Sequence, residues 1–139
     1  MKKTVIALLI ATVLTSFYIP QAQCKDNSQE KLLIVYTTAD VNVFNKMIFI
    51  YALYSMKQGW WQQVELLTWG PSNETIANDV EVQQKIKQLQ EAGVKVSACK
   101  WCAESYGIAE KLTELGIDVK YMGEPLTEML KSDYKVLTF

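Results

Sequence analysis

Gly93-Val94-Lys95-Val96-Ser97-Ala98-Cys99-Lys100-Trp101-Cys102-Ala103-Glu104-Ser105-Tyr106-Gly107-Ile108 is the stretch that decides the fold. A short β-branched run, Val94-Lys95-Val96, leads into a C-x-x-C pair, and helix-compatible residues follow from Trp101 to Tyr106. The spacing predicts a strand that ends, and a helix that begins, at the cysteines. With Cys99 near the helix start, its sulfur faces the unpaired N–H groups of the first turn. Those groups and the helix dipole favour a thiolate over a thiol. Cys102, three residues on, lies on the same side of the helix. Their separation suits a disulfide or a shared sulfur atom. Lys100 adds a positive charge, weakly, because adjacent helical residues point in different directions. Trp101, with Trp69 and Tyr106 if they converge, would desolvate the sulfur and act against ionisation.

Outward from this junction the chain alternates strands and helices. The apolar run Leu32-Leu33-Ile34-Val35-Tyr36 reads as a strand buried on both faces. Asp40 or Asn42 can cap the helix expected over 43–57, whose apolar residues lie nearly all round it. One face of that helix would cover the sheet, and the other needs a partner. A second strand is expected over 64–69, closed by the turn Gly70-Pro71-Ser72-Asn73, where α/β sheets place their ligands. A single turn is expected over 75–78. Asp79 then caps a helix with Val82, Ile86, Leu89 and Ala92 at helical spacing. Beyond Gly107 come a helix marked by Ile108, Leu112 and Leu115, a short strand over 117–119, and a short helix with Pro125 at its first position. A last strand spans 134–139. The pattern predicts an α/β fold: a three-layer α/β/α domain over 32–139 with a five-stranded, mainly parallel sheet.

The start of the chain bears on compartment. Lys2 and Lys3, the apolar residues 5–14 and the break at Pro20-Gln21-Ala22-Gln23 have the shape of a secretory signal peptide over 1–24, followed by a polar linker over 25–31. The expectation is a periplasmic protein with no stable membrane insertion after cleavage. Lipidation at Cys24 is disfavoured, because Gln23 is not the small residue that processing wants. In that oxidising space a C-x-x-C pair becomes a disulfide unless something reduces it or uses it.

Composition narrows the chemistry. There is no histidine and no arginine among the 139 residues. That excludes Ser-His-Asp and Cys-His catalysis, histidine metal ligation and bidentate arginine clamps. Beyond the leader, twelve lysines face fifteen acids, a net charge of −3 with no basic patch for nucleic acid. Two cysteines without further ligands make a poor metal site, and no cofactor is expected.

The run Gly93-Val94-x-Val96-x-Ala98-Cys99-x-x-Cys102-Ala103-x-x-x-Gly107-Ile108 resembles the DsrE family of sulfur-relay proteins, as do Trp69-Gly70-Pro71 and Tyr121-Met122-Gly123-x-Pro125-Leu126. The resemblance implies a compact α/β domain assembling as a trimer or hexamer. It also implies that Cys99 accepts sulfane sulfur as a persulfide and hands it on, with Cys102 as a possible resolving thiol. Two features set this chain apart: the leader, and Ser105-Tyr106 where several members carry basic residues. Two other readings of the pair are a thiol–disulfide oxidoreductase and a non-catalytic binding or assembly module with a structural Cys99–Cys102 disulfide.

Overall fold

A computed structural model describes residues 30–139; the leader, Cys24 and residues 25–29 of the linker lie outside the described residues. Five strands, β1 (Lys31–Tyr36), β2 (Gln63–Thr68), β3 (Lys95–Cys99), β4 (Asp118–Lys120) and β5 (Lys135–Thr138), form one sheet. Its order is β4-β3-β2-β1-β5 and every pairing is parallel. The sheet begins one residue before the expected boundary, because Lys31 is in register with Gln63.

The first connection is a continuous helical segment: α1 (Val41–Val43), a π-helical stretch (Phe44–Ile48) and α2 (Phe49–Lys57). It starts two residues before expected, because Asp40 accepts hydrogen bonds from the N–H groups of Asn42 and Val43 at its entrance. Phe44, Ile48, Ala52 and Ser55 turn inward, while Met47, Ile50 and Tyr54 are exposed on the outer side. The second connection holds α3 (Pro71–Asn78) and α4 (Val80–Glu91). The expected single turn over 75–78 is thus the end of an eight-residue helix. Gly70, at φ +67° and ψ −133°, and Pro71 at the first helical position let that helix begin immediately after β2. The third connection holds α5 (Lys100–Ser105) and α6 (Ala109–Glu114). The fourth is α7 (Gly123–Lys131) alone, which starts at Gly123, so that Pro125 is its third residue rather than its first.

The connections from β1 to β4 step across the sheet in one direction. Right-handed crossovers then place their helices on one face. That face holds the larger core: Leu32, Ile34, Tyr36, Val64, Leu66, Val96 and Ala98 from the strands, against Phe44, Ile48, Ile76, Val82, Ile86, Leu89 and Leu112 from the helices. The return from β4 to β5 runs the opposite way, and α7 covers the other face. The core there is small: Leu33, Val35, Leu67, Cys99, Cys102 and Met122, with Trp69, Leu126, Met129 and Tyr134 packed at its margin. The structure is the expected three-layer α/β/α domain, with one layer reduced to a single helix.

This asymmetry gives a stability contrast. Leu66→Ala, in the larger core, should cost about 2–5 kcal/mol. Leu130→Ala, on the exposed side of α7, should stay within about 0.5 kcal/mol. Urea unfolding of the two variants measures both.

Candidate functional site

Neighbouring connections leave the sheet on opposite faces between β3 and β4. In open parallel sheets such a point leaves a crevice at the carboxyl ends of the strands. Cys99 is the last residue of β3 and lies in register with Lys120, the last of β4. It is also the N-cap of α5, with φ −66° and ψ 110°, an extended residue from which the helix departs. The sequence thus places the cysteine pair at the strand-to-helix junction as expected, and the topology makes that junction the switch point of the sheet.

Both cysteines are thiols, and both are buried, Cys99 at 3% and Cys102 at 6% exposure. Burial pushes the Cys102 thiol up from its ordinary value. A hydrogen bond with Cys99 and the charge Cys99 would carry act in the same direction, while the Gly70 backbone N–H works against them. The physical content is a protonated Cys102 that can donate to its neighbour's sulfur. Lys100 is turned to the surface, where its ammonium lies 3.7 Å from Glu104 Oε1 and 5.2 Å from the centre of the Tyr121 ring.

The side chains that bury the sulfurs differ from those expected. Trp101 is 68% exposed and Tyr106 is also exposed, so neither closes over the site. Helix α5 has a single turn and a half, and its geometry sends Trp101 outward while Cys102 and Ala103 face in. Trp69 alone of the three aromatics joins the cluster, and the cover is completed by Leu33, Val35, Leu67 and Met122. Met122, at the N-cap of α7, is almost fully enclosed.

Beneath the cysteines runs a buried polar brace. Asn73 is fully buried, and its Nδ2 donates to the Cys99 carbonyl at 3.3 Å. Its Oδ1 accepts from the Thr68 hydroxyl at 2.6 Å. That hydroxyl also lies 3.3 Å from the Ser97 carbonyl. Ser72 ties the same turn to β1: its hydroxyl donates to the Tyr36 carbonyl at 2.6 Å and accepts from the Trp69 N–H at 3.0 Å. Asn73 and Ser72 stand in the sequence as ordinary turn residues after strand two. The only signal of their role was position, at the carboxyl end of a parallel strand. Among the described residues no group of three or more metal-ligating side chains is gathered.

Residues 30–139 match the family model of the DsrE/DsrF-like family, and the chain belongs to that family. A Bacteroides thetaiotaomicron protein of unknown function, BT1422, is similar to it over 82% of this chain and 98% of its own, with 39% identity and a TM-score of 0.79. The ychN protein of E. coli shares the fold at 21% identity and a TM-score of 0.61, over 80% of this chain and 100% of its own. No curated protein matches the chain.

The brace and the raised Cys102 thiol are each testable. Asn73→Ala leaves the Cys99 carbonyl without its side-chain donor and the Thr68 hydroxyl with only the longer contact to the Ser97 carbonyl. It should lower stability by about 1–3 kcal/mol in urea unfolding. In a Cys99→Ser variant, where burial still acts on Cys102, iodoacetamide should alkylate Cys102 only above the ordinary thiol range of about 8.5. A midpoint at or below that range would show that burial does not govern this thiol.

Proposed function

We propose that this protein is a sulfur-relay carrier that holds sulfane sulfur as a persulfide on Cys99. Membership of the DsrE/DsrF-like family supports a function of the sulfur-relay kind. The observation that carries the finer reading is the pairing of two thiols at the switch point. One of them, Cys102, is kept protonated by burial and by its hydrogen bond to the other.

The steps balance without an external oxidant. The Cys99 thiolate attacks the outer sulfur of a sulfane donor such as thiosulfate. A Cys99 sulfur–sulfur bond forms, the donor's sulfur–sulfur bond breaks, and its electron pair leaves with sulfite. An acceptor thiolate then takes the terminal sulfur and returns Cys99 to a thiolate. If no acceptor arrives, Cys102 attacks the Cys99 sulfur, a Cys99–Cys102 disulfide forms, and hydrogen sulfide leaves. The brace from Asn73 holds the Cys99 carbonyl and so fixes the carrier residue at the start of α5. On this reading the leader delivers the carrier to the periplasm.

Mass spectrometry after exposure to thiosulfate tests the reading. Wild-type protein and Cys102→Ser should gain the mass of one sulfur on Cys99, and Cys99→Ser should gain none. Equal loss in both variants would mean that the pair acts as one disulfide unit, in thiol–disulfide exchange or as a structural link.

We further propose that the carrier is a homo-oligomer, a trimer or a multiple of it, associating through the outer side of the first helical segment. Met47, Ile50 and Tyr54 are all more than two-fifths exposed there, at helical spacing. Contiguous exposed apolar groups of this kind mark contact surfaces. Light scattering at micromolar concentration should give a mass of three chains or a multiple, and Ile50→Glu should reduce it. A wild-type mass of one chain would end the idea.

A further inference from the structure

The thinly covered face of the sheet carries an open groove beside α7, of ≈ 610 Å³, that the sulfur chemistry leaves unused. Its walls include Gln63, Glu65, Lys95, Ser97, Lys120 and Tyr134. Glu65 is buried in the middle of β2. Two hydrogen bonds reach it, from Gln63 Nε2 at 3.5 Å and from the Tyr134 hydroxyl at 3.3 Å, and both end on Oε2. A buried carboxylate calls for a cationic partner, and Glu65 has no ion pair among the described residues. Lys95 is its register partner across β2 and β3 and is likewise in no ion pair. Two opposite charges therefore border the groove without neutralising each other. Between Lys95 and Cys99 on the same side of β3 stands Ser97, buried, with a hydroxyl that has no hydrogen-bond partner. The Tyr134 hydroxyl is pushed up to about 12, first by burial and then by the Glu65 charge and its hydrogen bond.

We propose that this groove binds an α-amino-acid zwitterion, its ammonium against the Glu65 carboxylate and its carboxylate against the Lys95 ammonium and the Ser97 hydroxyl. An isolated cation would leave Lys95 unused, and an isolated anion would meet the buried carboxylate; a dipolar ligand satisfies both and supplies the missing partner for Ser97. Ser97 and Cys99 point to the same face of β3, roughly 7 Å apart along the strand, so the Ser97 end of the groove is the end nearer the carrier cysteine. Resting on the sulfur-carrier reading, the ligand is a thiol-bearing amino acid such as cysteine, the acceptor of the carried sulfur: its thiolate bonds to the outer sulfur of the Cys99 persulfide, the Cys99 sulfur–sulfur bond breaks, and Cys99 leaves as a thiolate. The zwitterion site itself does not depend on that reading.

Isothermal titration of the full chain carrying Cys99→Ser, which removes covalent chemistry at that residue, is the test. L-Cysteine and S-methyl-L-cysteine should bind, and 2-mercaptoethanol, a thiol without the two charges, should not. Glu65→Gln and Lys95→Ala should each weaken binding at least tenfold. Lys95 is exposed, so its variant decides the matter even if Glu65→Gln fails to fold. Absence of binding by both amino acids, or unchanged affinity in Lys95→Ala, overturns the site. L-Alanine binding as tightly as L-cysteine overturns the thiol-bearing assignment alone. Failure of wild-type protein to load sulfur, with S-methyl-L-cysteine still bound, overturns the carrier reading and leaves the groove standing.

Discussion

One reversal of the winding governs this molecule. Three crossovers carry the chain across the sheet in one direction, and right-handedness stacks their helices on a single face. The return from β4 to β5 must then cross the opposite face, and among the described residues it brings one nine-residue helix to cover it. The site, the groove and the thinness of the second core all follow from that imbalance. The two directions part between β3 and β4, where Cys99 ends β3 in register with Lys120.

The thin face explains why polar and reactive groups survive inside the domain. On the thickly covered face, the buried strand residues meet helices and are apolar apart from Thr68, whose hydroxyl is bonded to Asn73. On the other, the same strands carry Glu65, Ser97 and the Cys99 thiol, and α5 adds the Cys102 thiol. A charge such as that of Glu65 is tolerated where it borders an open groove; under a full helix layer it would face only hydrocarbon. Met129 and Tyr134 lie at the margin of the cluster around the sulfurs and also line the groove at Glu65 and Lys95.

The cysteines are held rather than merely placed. The Cys99 carbonyl is fixed by Asn73, Asn73 by Thr68, and the turn that supplies Asn73 is itself fixed to β1 through Ser72. Each link is buried, so breaking one leaves its partner unsatisfied. Gly70, in a backbone conformation reserved for glycine, directs its N–H to the Cys102 sulfur. The loop after β2 thus contributes as much to the environment of the pair as the loop that contains it.

Sequence alone determined the fold class, the strand-to-helix position of the C-x-x-C pair and most elements, because those depend on local signals. Apolar runs of strand length, helical spacing in 82–89, the caps Asp40 and Asp79 and the glycine stops are readable without neighbours. The family is legible for the same reason, since its motif is a contiguous run. Local signals failed where two elements compete for one junction. Pro71 and Pro125 start or join helices at registers set by the preceding glycines, and α3 proved longer than its own residues implied. Tertiary structure alone decided the strand order, since pairing partners lie far apart in sequence and β5 joins β1 from the far side. It also decided which side chains enclose the sulfurs. Trp101 is adjacent to both cysteines yet faces water, while Met122 arrives from another strand's loop. Nothing in the chain's order announces that Glu65 and Lys95 border one groove, or that Asn73 holds Cys99. Such contacts join residues some thirty positions or fewer apart but on different elements, and only the assembled sheet and its helices bring them together.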